Sequence, residues 1–113
     1  MTNTTRSTII PALRYRDAHA AIDWLCHVLG FAKHAVYPGP DNTVGHAELT
    51  LNGGMTMLGS HKDDEYSSRF KSPGEVGGFE TRGAYVIVDD ADVVYARAQA
   101  AGCLLYTSDA ADE

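Results

Sequence analysis

Cationic side chains are scarce in this sequence: nine lysines and arginines stand against fifteen acids in 113 residues, a net charge of −6. Nucleic acid or an anionic membrane would need clustered cations, so both are excluded as partners. Cysteine is nearly absent; Cys26 and Cys103 lack C-x-x-C spacing and are too few for a disulfide scaffold. No apolar stretch approaches the roughly 18 residues of a membrane span. Met1–Ser7 is polar, with no apolar run behind it, and does not read as a signal peptide. Four prolines and eleven glycines exclude collagen-like and disordered chains. There is no serine nucleophile elbow, P-loop, G-x-G-x-x-G or H-E-x-x-H motif. These absences lead us to expect a protein of the reducing cytoplasm.

What is present is enough apolar material, 44% of residues, for one small core. Thr8–Tyr15 alternates as a strand, with Leu13 and Tyr15 opposite Ala12 and Arg14. Asp17 offers an N-cap oxygen, and Ala18, Ala21, Ile22, Leu25 and Leu29 recur at helical spacing, which predicts a helix over Ala18–Leu29 stopped by Gly30. Three strands are expected next, over Phe31–Tyr37, Val44–Leu51 and Met55–Gly59. Asn52-Gly53 forms a tight primed turn between the last two. Period-two alternation places Gly45, Ala47, Leu49 and Leu51 on one side of the middle strand. Val44, His46, Glu48 and Thr50 then lie on the other.

Residues 61–81 are polar and without a steady period, and read as a long surface connection. A strand over Arg82–Val88, a cap at Asp90 and a helix over Ala91–Ala101 stopped by Gly102 then restart the pattern. Asp17 matches Asp90, Ala21 matches Val94, Ile22 matches Tyr95 and Leu25 matches Ala98, at a constant offset of 73.

Ile10-Pro11-Ala12-Leu13-Arg14-Tyr15-Arg16-Asp17, Ala21-Ile22-Asp23-Trp24-Leu25, Val28-Leu29-Gly30-Phe31, His46-Ala47-Glu48-Leu49, Met57-Leu58 and Tyr85-Val86-Ile87-Val88-Asp89 together resemble the vicinal oxygen chelate superfamily. That group includes glyoxalase I, extradiol dioxygenases, fosfomycin-resistance enzymes and bleomycin-resistance proteins. The resemblance covers residues 8–102. It implies an α+β fold in which paired βαβββ modules form a cupped mixed sheet around a ligand, commonly in a homodimer. Module one would occupy 8–60, a linking loop 61–81 and an incomplete second module 82–102. Residues 103–113, from Cys103 to Glu113, depart from the pattern and resemble the in-frame translation of a transposon-end sequencing adapter. We therefore expect them to be non-native, which leaves 12 acids against 9 bases and a net charge of −3.

His46 and Glu48, two apart on a strand, share a face and are the leading site candidates. They either bind a metal or move a proton, or they form a polar pair on a solvated face. Trp24 and Tyr15 are further ligand-pocket candidates. His34 has no acidic companion in sequence. The superfamily's usual metal positions correspond to about Ile10, Met57 and Ala84, whose apolar side chains do not ligate, so the resemblance implies no standard metal set. The expected function is small-molecule binding in the cup. The rival expectations are a metal-dependent lyase, dioxygenase or transferase of the same superfamily, and an inactive fragment.

Overall fold

The computed structural model describes residues 7–62, 67–80 and 83–103. The expected tail from Leu104 onward therefore lies outside the described residues, as do parts of the expected connection over residues 61–81. Strand β1 spans Ala12–Tyr15 and helix α1 spans Ala18–Trp24. Strands β2 (Ala32–Pro38), β3 (Val44–Leu51) and β4 (Gly54–Ser60) follow, and helix α2 spans Ala91–Ala100. The four strands form one mixed sheet in the order β1-β4-β3-β2, with β1 parallel to β4 and the other neighbours antiparallel. This strand–helix–three-strand order is one βαβββ module in an α+β fold. Among the described residues no helix is long and apolar enough to cross a membrane.

Helix α1 starts where its cap demands. The Asp17 carboxylate accepts the Ala20 amide at 3.0 Å, satisfying one of the donors a helix start leaves open. The helix widens into a π-turn over Leu25–Leu29, and Gly30 ends it at φ +89°, a left-handed conformation that glycine adopts without steric cost. The core lies between α1 and one face of the sheet. It is built from Ala18, Ile22, Val44, Ala47, Leu49 and Leu58, with Leu13, Tyr15, Leu25, Cys26 and Phe31 packed around it. Each large aliphatic side chain so buried contributes about 1.5–3 kcal/mol. The Asn52-Gly53 turn has positive φ at both residues, +51° and +84°, as a type I′ hairpin requires.

Two bulges break the alternation expected from sequence. In β3, His46 pairs with Tyr37 but Val44 pairs with Pro38, so Gly45 is left between them. The extra residue reverses the facing of the strand's first position. Val44 therefore points into the core with no exposed surface, not onto the His46 side as expected. In β2, Lys33 pairs with Leu49 and Ala35 with Glu48, which leaves His34 as the extra residue.

The expected strand over Arg82–Val88 is not found. Among its described residues, Gly83–Val88 joins no ladder, and Tyr85 and Ile87 are 95% and 76% exposed. An extended segment becomes a strand only by pairing, and no described strand lies alongside it. The cap of the second helix does match the first: the Asp90 carboxylate accepts the Asp92 and Val93 amides at 3.0 and 3.2 Å. Packing does not follow the repeat, since α2 buries only Ala98, and Tyr95, the counterpart of buried Ile22, is 43% exposed.

Candidate functional site

Because α1 covers one face of the sheet, the residues that alternate away from the core define an open face. On β3 these are His46 and Glu48. On β4 they are Met55, Met57 and Gly59, and on β1 they are Ala12 and Arg14. His46 Nε2 lies 3.0 Å from Glu48 Oε2. The carboxylate accepts this bond, so Nε2 carries the hydrogen. The second carboxylate oxygen of Glu48 lies 3.8 Å from His34 Nε2. The Tyr37 ring stacks over the His46 imidazole, with centroids 6.0 Å apart and planes inclined by 25°.

The β2 bulge thus gives His34 the acidic companion it lacks in sequence. The Glu48 side chain is 27% exposed and those of the two histidines just over 40%. A pair this wet contributes at most about 1 kcal/mol to stability. What the arrangement offers is chemistry: an imidazole whose tautomer is set by a carboxylate, accessible from solvent, is positioned to exchange a proton.

Beside this group the open face holds a cleft of about 190 Å³ lined by Ala12, Leu13, Arg14, Gly45, His46, Met57, Leu58, Gly59 and Phe70. The guanidinium of Arg14 donates through Nη1 to the Ser60 carbonyl at 3.2 Å. Gly59 pairs with Arg14 across the ladder. A Cβ at Gly59 would lie 3.6 Å from Arg14 Nη1 and 3.0 Å from the Gly45 carbonyl oxygen, so the floor here is bare backbone. Phe70 comes from the connection after β4 and supplies a wall that is not part of the sheet. A larger hollow of about 310 Å³ lies between the end of α1, the β3–β4 turn and α2, lined by Asn52, Asp89, Asp90 and Arg97 among others. It gathers no histidine.

The structure brings together only half of the four candidates. His46 and Glu48 adjoin the cleft. Tyr15 packs against the core on the covered face, and the Trp24 indole donates from Nε1 to Cys103 Sγ at 2.9 Å on the helix side. Neither lines the cleft. Sequence reasoning missed Arg14, Phe70, His34 and Tyr37. A signal existed for Arg14, a charge alternating opposite Leu13 and Tyr15 in an apolar strand; none existed for Phe70, in a segment without period. Among the described residues no three His, Cys, Asp or Glu side chains are grouped so as to hold a metal ion.

The chain is 30% identical over 98 residues to an uncharacterized protein of Mycobacterium bovis, covering 87% of this chain and 64% of that protein. It is equally similar, over the same length, to an uncharacterized protein of Mycobacterium tuberculosis, of which it covers 57%. The chain therefore spans about three-fifths of the length of these curated relatives. Among solved structures it resembles TioX from Micromonospora sp. ML1, with a TM-score of 0.54 and 25% identity over 85% of this chain and 72% of that one. The sequence model of one family matches residues 9–105. The strand–helix–three-strand sheet and this match agree: the chain belongs to the Glyoxalase/Bleomycin resistance protein/Dioxygenase superfamily.

Proposed function

We propose that this protein binds a small organic molecule on the open face of its sheet, without the metal set usual in its superfamily. The observation that supports the reading is the cleft itself, where Met57 and Phe70 provide apolar walls and Arg14 and His46 provide a few convergent polar groups. That mixture is the general composition of small-molecule sites. The superfamily's usual metal positions fall at about Ile10, Met57 and Ala84, and a thioether or an alkyl group is a poor partner for a hard or borderline cation. The same proposal places the protein in the cytoplasm as a homodimer.

Ligand-observed NMR with a panel of single-ring compounds, run on the unaltered chain and on Met57→Trp, tests the reading. Met57 faces the cleft and not the core, so a larger ring there fills the cleft while circular dichroism reports the fold. Saturable binding that the substitution removes supports the site. Absence of any saturable binder, or binding indifferent to the substitution, contradicts it.

A second reading is favoured by the 3.0 Å contact between His46 and Glu48. Here His46 is a general base held by Glu48, and the bound molecule is a substrate. A turnover that falls by about a hundredfold in His46→Gln, with binding retained, selects this reading.

A further inference from the structure

Two contacts fix what the His46 imidazole can offer to a bound molecule. In the ring plane, Nε2 donates to Glu48 Oε2 at 3.0 Å. On one face, the Tyr37 ring lies with its centroid 6.0 Å away and its plane inclined by 25°. A neutral imidazole carries one hydrogen, and the bond made by one nitrogen decides the character of the other. With the hydrogen on Nε2, Nδ1 is a bare acceptor. No donor among the described residues reaches it. The nearest carboxylate does not take its place, since Glu48 spends Oε2 on His46 and faces His34 with Oε1 at 3.8 Å. His46 lines the open-face cleft, so its unfilled acceptor and the apolar surface of Met57 belong to one site.

Resting on the binding reading above, we propose that the ligand class is a small hydrogen-bond donor, a hydroxyl or N–H carried on an apolar body. Its donor meets His46 Nδ1, and its body lies beside Met57. The size follows from the cleft. About 190 Å³ falls below the range of roughly 300–1,000 Å³ that drug-sized ligands occupy, so the body is on the order of one ring. The donor follows from the tautomer. A molecule that turned an acceptor toward Nδ1 would set lone pair against lone pair, whereas a donor replaces the water that a solvent-accessible imidazole otherwise binds. Glu48 and Tyr37 hold the ring before the ligand arrives, so little ordering is left to be done on binding.

Phenol and fluorobenzene, a hydroxyl against a fluorine on the same ring, are the probes. The titrations are followed by protein NMR at about pH 8, where an ordinary histidine is neutral and a phenol keeps its proton. Phenol binds the unaltered chain on the order of three- to tenfold more tightly than fluorobenzene, the scale of one net hydrogen bond. The His46 Nδ1 resonance is that of an unprotonated nitrogen and moves upfield with phenol alone. His46→Phe keeps a ring against Tyr37 and abolishes the preference; Glu48→Leu frees the tautomer and narrows it. The probe pair on the unaltered chain stands by itself should either variant fail to fold. Equal affinity for the two probes, or a protonated Nδ1, overturns the donor assignment and leaves the binding reading intact. Binding of neither probe overturns the assignment, and if the wider panel also fails, the binding reading falls with it. A preference for phenol that survives in a folded His46→Phe overturns the role of His46.

Discussion

The imidazole of His46 donates to the Glu48 carboxylate across 3.0 Å, while His34, displaced by a bulge in β2, approaches the other oxygen of the same carboxylate at 3.8 Å. One acid thus serves two histidines from neighbouring strands on the face that α1 does not cover. Solvent reaches all three side chains, so the group is expected to matter little for folding. Glu48→Ala should change unfolding free energy by less than about 1 kcal/mol in a urea titration, as for other exposed ion pairs. A loss several times larger would mean that this face is covered.

Leu49 lies on the same strand with the opposite facing and no exposed surface. Leu49→Ala should cost about 2–5 kcal/mol, the range for emptying a buried leucine site, read as a lowered urea midpoint. The contrast between adjacent positions 48 and 49 tests the assignment of the two faces.

The two capped helices should respond differently to loss of their caps. Asp17→Ala removes the acceptor for Ala20 at the helix that covers the core, and should lower global stability by about 1 kcal/mol. Asp90→Ala removes the equivalent acceptor from α2, whose only buried residue is Ala98. Hydrogen exchange over Ala91–Ala100 should speed up there with little change in the melting temperature.

Ser72 and Glu75 form a capping box in the connection after β4. The Ser72 amide donates to Glu75 Oε1 at 2.8 Å and its hydroxyl to the same oxygen at 3.2 Å. These donors favour the charged carboxylate and hold it below the usual glutamate range. A lowered folded-state value means the turn's stabilisation is complete above the ordinary glutamate value and is lost as pH falls through the folded one. Carboxyl NMR titration should show Glu75 protonating at lower pH than in Ser72→Ala. Coincident titrations would contradict the box.

The readable parts of this fold were those set by local chemistry. Asp17 and Asp90 announced helix starts, Gly30 a stop and Asn52-Gly53 a hairpin, because each of these residues acts within a few positions of itself. The shared facing of His46 and Glu48 followed from the two-residue period. Two single-residue bulges carried information that no period contains. They moved Val44 into the core and brought His34 to Glu48, and both are decided by pairing with another strand. The segment before Asp90 failed for the same reason, since Tyr85 and Ile87 have strand composition but no described neighbour. Arg14 stood in plain view as a charge in an apolar strand, yet only the sheet order brought it beside Gly59 and Met57.

The central claim is that the open face of this single module, not the hollow beside α2, is where a small molecule sits. Amide NMR shift mapping of the 113-residue chain with a binder from the single-ring panel tests it most directly. The account predicts perturbations concentrated at Arg14, Gly45, His46, Met57, Gly59 and Phe70, with Asn52, Asp90 and Arg97 unmoved. Perturbations centred on Asn52, Asp90 and Arg97, with the β3–β4 open face silent, would contradict it.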